Sequence, residues 1–146
     1  MQKDYLEELL TRDNVVEGIN TNINILLFFI PEINCMMKFN QKDPSQNYDL
    51  WNHTLLALYY AEELSYNDFD TRLALLLHDI GKPSSYQEGK VRRYPNHNIV
   101  SAETTYTILK RLGYKEDYIN TITYLIKNHD KAISDELIRS DPELAQ

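Results

Sequence analysis

Apolar residues recur along this chain at intervals of three and four, the spacing that gathers them on one side of a helix. Between residues 15 and 30 they fall at Val15, Ile19, Ile23, Leu26, Leu27 and Ile30. That stripe predicts a helix capped by Asp13 or Asn14 and stopped at Pro31. A shorter helix is expected before it, over residues 4–10, with Tyr5, Leu6, Leu9 and Leu10 on one side. Another is expected after it, over residues 33–39, with Met36, Met37 and Phe39 facing inwards. Residues 40–48, NQKDPSQNY, are polar, contain Pro44 and read as a loop.

The second half repeats the pattern. Asp49 caps a helix expected over residues 50–64, with Trp51, Leu55, Leu58 and Tyr59 as its apolar face. Residues 68–80 place Phe69, Leu73, Leu76 and Ile80 at helical spacing. Asp68 and Asp70 stand there at the positive end of the helix dipole. A loop over residues 84–96 leads to Asn96 or Asn98, either of which can cap a helix that runs to Leu112 and is closed by Gly113. Residues 116–128 put Ile119, Ile122, Leu125 and Ile126 inside, and a last helix is expected over 134–140. No strand pair stands out. The expected fold is all-α: one domain over residues 1–146, built from six or seven helices. In it, residues 1–40 pack on the core and residues 49–130 carry the chemistry.

Composition narrows this picture without changing it. A chain of 146 residues can bury a proper core, and its 42% apolar content is ordinary for a globular domain. Four glycines and five prolines are few, which favours helices over a turn-rich β fold. The formal charge of −7 argues against broad contact with nucleic acid or a membrane surface, but leaves room for a small anion held locally. Cys35 is the only cysteine, so no internal disulfide can form and a reducing cytoplasm is the default expectation. The N-terminal MQKDYLEELL lacks the apolar core of a signal peptide. The longest apolar run, residues 25–30, is too short to span a bilayer.

The candidate chemistry centres on LALLLHDIGKP, residues 73–83, where His78 and Asp79 stand side by side. Inside a helix, adjacent side chains point about 100° apart and cannot share one ion; at a helix end the geometry loosens. Gly81 is placed to follow the helix and Pro83 to prevent its continuation, so His78 and Asp79 are expected in the last turn. A buried helix with a polar end accounts for this stretch equally well on its own. The other histidines shift the balance. There are four, His53, His78, His97 and His129, each at or near an expected helix end, and two precede an aspartate: His78–Asp79 and His129–Asp130. His129 also continues the stripe of Ile122 and Ile126, as an ordinary core histidine does. Imidazole with carboxylate suits Mn, Fe, Ni, Co, Zn or Mg, and the lack of cysteine clusters excludes a structural zinc finger. Lys82, Lys90, Arg92 and Arg93 form either a solvated basic loop or a phosphate-contacting edge. Asp49, Asn52 and Asn128 read first as caps or surface groups, and second as groups that orient imidazoles.

Taken together, His53, HDIGK at 78–82, His97 with Ser101, and His129–Asp130 resemble the HD-domain metal-dependent phosphohydrolase superfamily. The flanks FIPEINCMMKFNQKDPSQNYDLWNHT (29–54), LALLLHDIGKP and HNIVSAETTYTILKRLGY (97–114) resemble the HD domain of bacterial CCA-adding tRNA nucleotidyltransferases. The resemblance covers roughly residues 29–130. Nothing before residue 29 resembles the nucleotidyltransferase head, which needs a β-sheet with paired carboxylates, so a stand-alone HD domain is expected. The resemblance implies an all-α fold holding one or two divalent ions between helices. By position it makes His53, His78 and Asp79 the core ligands, with Asp79 able to bridge two ions. His97 and His129 match the histidines of a second ion. Asp130 is the nearest match to a late aspartate ligand, with Asp135 and Asp141 as alternatives. From the ligand set, Asp79 and Lys82 are expected to take catalytic roles, and Lys82, Arg92 and Arg93 are the candidates to contact phosphate. The implied activity is hydrolysis of a phosphomonoester or phosphodiester in a nucleotide or nucleotide-like molecule. The alternative is a nucleotide-sensing module without turnover. RNA is a further substrate class, disfavoured by the −7 charge.

Overall fold

The computed structural model describes residues 2–37, 50–85 and 96–128. Among them there is no strand. The helices are α1 (Gln2–Leu10), α2 (Val15–Thr21), α3 (Ile23–Phe29), α4 (Ile33–Met37), α5 (Leu50–Glu63), α6 (Phe69–Leu77), α7 (Lys82–Ser85), α8 (His97–Leu112) and α9 (Glu116–Lys127). The all-α expectation therefore holds. The expected helix over residues 134–140, the cap Asp49 and the loop at 40–48 lie outside the described residues.

The helix count rises because long stripes are cut by local hydrogen bonding. The stripe from Val15 to Ile30 becomes α2 and α3, broken at Asn22. Asn22 Nδ2 donates to the Gly18 carbonyl at 2.9 Å and its backbone N–H reaches the same carbonyl at 3.0 Å. Asparagine competes with the helix ladder in this way, which makes it a favoured stopping point. The periodicity is kept across the break: Val15, Ile19, Leu26 and Ile30 are all buried.

α6 lies at the centre and packs on α5, α9 and α1. Its amphipathic pattern was expected to bury Phe69, Leu73, Leu76 and Ile80. In fact every residue from Arg72 to Gly81 is buried. A helix covered on all sides needs apolar residues all round, which is what Leu73–Ala74–Leu75–Leu76–Leu77 provides. Asp68 caps α6, its Oδ2 accepting the Thr71 N–H at 3.0 Å. On α5 the inward face is Trp51, Thr54, Leu58 and Ala61, while Tyr59, expected inside, is 46% exposed. The small Thr54 and Ala61 take the inner positions and Tyr59 turns outwards. α8 and α9 form the most extensive helix pair, joined where Gly113 takes φ 96°, a left-handed cap that favours glycine.

One buried charge ties the two halves of the chain together. Arg72, 1% exposed, sits in the inward stripe of α6. Its Nε donates to the Tyr66 carbonyl at 2.8 Å, and its Nη1 to the carbonyls of Leu10 (2.8 Å) and Arg12. It thereby saturates carbonyls at the end of α1 and in the turn before α6. Burial lowers its pKa, with Glu62, Asp13 and Asp68 opposing that shift. Nearby, Glu62 on α5 accepts the Val16 N–H at 2.8 Å, so one carboxylate satisfies a donor in the first turn of α2.

Candidate metal centre

The site forms where the ends of three long helices meet. His53 is in the first turn of α5, His97 opens α8, and His78 with Asp79 follows α6 directly. His78 is the C-cap of α6, in right-handed helical geometry, so the pair stands in the turn just beyond the helix rather than in its last turn. The consequence foreseen from the sequence still follows. Freed from regular helical spacing, the two adjacent side chains converge, and His78 Nε2 lies 3.1 Å from Asp79 Oδ2.

The reason for Gly81 differs from the expected one. It has no positive φ. It is glycine because α8 presses against it: a Cβ at this position would stand 2.4 Å from the Ser101 nitrogen and 2.8 Å from the Ser101 Oγ. The turn at 78–81 is thus wedged between its own helix and the first turns of α8. Pro83 lies within the single turn of α7, which packs on α8.

Asp79 is the hub, 3% exposed. Its Oδ2 faces His78 Nε2 at 3.1 Å, Lys82 Nζ at 3.6 Å and His53 Nε2 at 3.9 Å. Its Oδ1 faces His97 Nε2 at 3.8 Å. The donor atoms of His53, His78 and Asp79 all lie within 4.8 Å of one another. A divalent ion bonded at about 2.0–2.2 Å spaces its ligand atoms roughly 3–4 Å apart, so this group fits one with little movement. Two imidazoles and a carboxylate suit the borderline ions Mn, Fe, Co, Ni and Zn.

The ring of His78 is held by the backbone. Its Nδ1 lies 2.6 Å from the Leu75 carbonyl, a contact that only a protonated Nδ1 makes favourably. In the neutral ring, Nε2 then carries a lone pair, and it faces a carboxylate oxygen at 3.1 Å. Two acceptors that close repel unless a proton or a cation stands between them. The pKa shifts reflect the same conflict. Burial pushes the His78 pKa down, but the charge and hydrogen bond of Asp79 and the Leu75 carbonyl outweigh it, and the net shift is upwards from 6.5. For His53 burial wins over the attraction of Asp79, and its pKa falls below 6.5.

These opposite shifts predict a pH profile for the metal-free chain. His53, depressed, makes stability rise with pH up to its unfolded pKa; His78, raised, makes stability fall as pH climbs above that value. Their joint contribution peaks near pH 6.5, the ordinary imidazole value. A divalent ion held by His78 would take the place of its proton. The rise in Tm on adding Mn or Ni is therefore expected to be larger at pH 8 than at pH 6. Scanning calorimetry at both values checks this, and an equal shift at both would count against His78 as a ligand.

Of the other residues singled out from the sequence, Asn128 caps its own helix, donating from Nδ2 to the Tyr124 carbonyl at 3.0 Å. Asn52 is exposed on α5. His129, Asp130, Asp135, Asp141, Lys90, Arg92 and Arg93 lie outside the described residues. Sequence reasoning missed Arg72, although its place four residues before Leu76 on the inward stripe marked it as a buried charge.

All-helical architecture with imidazoles and a carboxylate gathered at helix ends defines a class, and the comparison with protein families names it. The HD domain model matches residues 50–145, about two thirds of the chain, and the chain belongs to that family. Among individual proteins, it is similar to the CC-adding tRNA nucleotidyltransferase of Thermus thermophilus, with 25% identity over 140 residues. That alignment covers 92% of this chain and 32% of the relative, so the chain spans about a third of that protein's length. No described helix is long and apolar enough to cross a membrane.

Proposed function

We propose that the chain is a metal-dependent phosphohydrolase that cleaves a phosphomonoester or phosphodiester in a nucleotide or nucleotide-like molecule. The observation that carries this reading is the two-sided use of Asp79. One carboxylate oxygen meets His53, His78 and Lys82; the other meets His97. A carboxylate shared in that way is suited to two cation positions, with His53 and His78 at one and His97 at the other. His129 and Asp130 remain candidates to complete them.

A divalent ion, when bound, lowers the pKa of water and offsets charge on a phosphate oxygen. The chain's own residues do the rest. Asp79 supplies the negative charge that retains cations in a buried setting. The Leu75 carbonyl fixes the His78 ring so that Nε2 faces the site. Lys82, 15% exposed at its side chain and beside Asp79, offers a positive charge at the rim, where a phosphate oxygen can be held and oriented. Arg92 and Arg93 are proposed as further phosphate contacts, planar guanidinium groups being suited to bidentate binding.

Metal analysis of the purified protein tests the first step: one or two equivalents of a divalent transition ion are expected. A panel of nucleotides, cyclic nucleotides and generic phosphate esters tests the second. Hydrolysis of at least one class, abolished by His78→Ala, supports the proposal. Stabilisation by a nucleotide without hydrolysis would replace it with a sensing module. A chain that takes up no ion and gains no stability from Mn or Ni would refute the metal reading.

A further inference from the structure

We infer that Ser101 is a positioning residue that sets the separation of the two cation positions, an inference that rests on the two-cation reading above. Ser101 is fully buried, and its Oγ accepts the Gly81 N–H at 2.7 Å. Gly81 is two residues beyond Asp79, on a turn with no room for a side chain against α8. Ser101 is four residues beyond His97, one helical turn along the same face of α8. The hydrogen bond therefore joins the turn that carries Asp79 to the helix that carries His97. His53 and His78 reach the other oxygen of Asp79 without passing through this link: His53 stands on α5, and His78 is held by the Leu75 carbonyl.

Two features make the link specific. The turn lies so close to α8 that Gly81 has no room for a Cβ, and within that contact the bond to the Ser101 hydroxyl fixes how far the turn stands from the helix and where along it. In addition, a buried Gly81 N–H left without its acceptor would seek another partner, which displaces the turn. Thr105 provides the contrast. It lies one further turn along α8, is equally buried, and its hydroxyl has no hydrogen-bond partner among the described residues. Removing that hydroxyl is therefore expected to leave the turn in place.

The test compares Ser101→Ala, Thr105→Val and the unaltered chain by calorimetric titration with Mn, with metal content measured after dialysis. The unaltered chain is expected to bind two ions. In Ser101→Ala the weaker site should lose roughly 10- to 100-fold in affinity, as metal sites do when a supporting partner is removed, while the tighter site is kept. Thr105→Val should retain both. Equal weakening of both ions, or of neither, in Ser101→Ala overturns the positioning role. A chain that binds only one ion at the outset refutes the two-cation reading and this inference with it. Should Ser101→Ala fail to fold, amide exchange in the unaltered chain decides: a Gly81 N–H as protected as those inside α6 supports the link, and exchange at an open-loop rate overturns it.

Discussion

Asp79→Asn should abolish divalent-ion uptake and phosphate-ester hydrolysis together. The change keeps the size of the side chain and removes only its charge. Three imidazoles and an ammonium face this one carboxylate within 4 Å, so no other described group can replace it as their counter-charge. Loss of an outer partner to a metal ligand typically costs 10- to 100-fold in affinity; loss of the shared ligand should exceed about a thousandfold. Equilibrium dialysis with Mn and assay of the active ester class would read both losses. A variant that binds Mn as tightly as the unaltered protein would show that Asp79 is not the hub. The metal-free variant offers an independent check. Without Asp79 the main upward force on the His78 pKa disappears, leaving the Leu75 hydrogen bond alone against burial, and the pKa falls. The fall in stability above pH 6.5 expected of the unaltered chain should then be smaller in Asp79→Asn.

Arg72→Met should be the most destabilising substitution away from the site. Methionine fills much of the same space but cannot donate, and the carbonyls of Leu10, Arg12 and Tyr66 lose their partner. Leaving a buried acceptor unsatisfied costs roughly 1–3 kcal/mol, and partial access of water to the turns reduces the sum. A loss of about 3–5 kcal/mol is expected, a large fraction of the 5–15 kcal/mol typical of a domain. Urea unfolding followed by circular dichroism would measure it, and a loss below about 1 kcal/mol would show that the carbonyls find water instead. Metal stoichiometry of the folded fraction should be unchanged, because Arg72 touches none of the candidate ligands.

Much of the fold was legible before any coordinates. The extents of α5, α8 and α9 and the start of α6 follow from apolar spacing, from Asp68 as a cap and from Gly113 as a stop, because these signals act over a few residues; the end of α6 at Leu77, short of the expected Ile80, does not. What was not legible came from interactions between distant segments. The exposure of Tyr59 depends on which face of α5 meets its neighbours. The burial of α6 on every side depends on three separate partners, and periodicity within one helix carries no information about them. Asn22 marks an intermediate case: asparagine is a known helix competitor, but whether its side chain turns back on Gly18 is settled only when the chain packs.

The candidate site divides in the same way. By itself the sequence determined the residue types of the candidate site and the places of His53, His78, Asp79 and His97 at or beside helix ends, because residue chemistry and local periodicity are written in it directly. The HDIGK stretch also marked His78 and Asp79 as neighbours that escape helical spacing. Only the tertiary structure decided which oxygen of Asp79 meets which histidine, that Lys82 stands beside the same carboxylate, and that Gly81 is glycine because Ser101 lies against it. Those facts depend on α8 meeting the turn after α6 across some twenty residues of intervening chain, and no local rule of spacing can supply a distance of that kind.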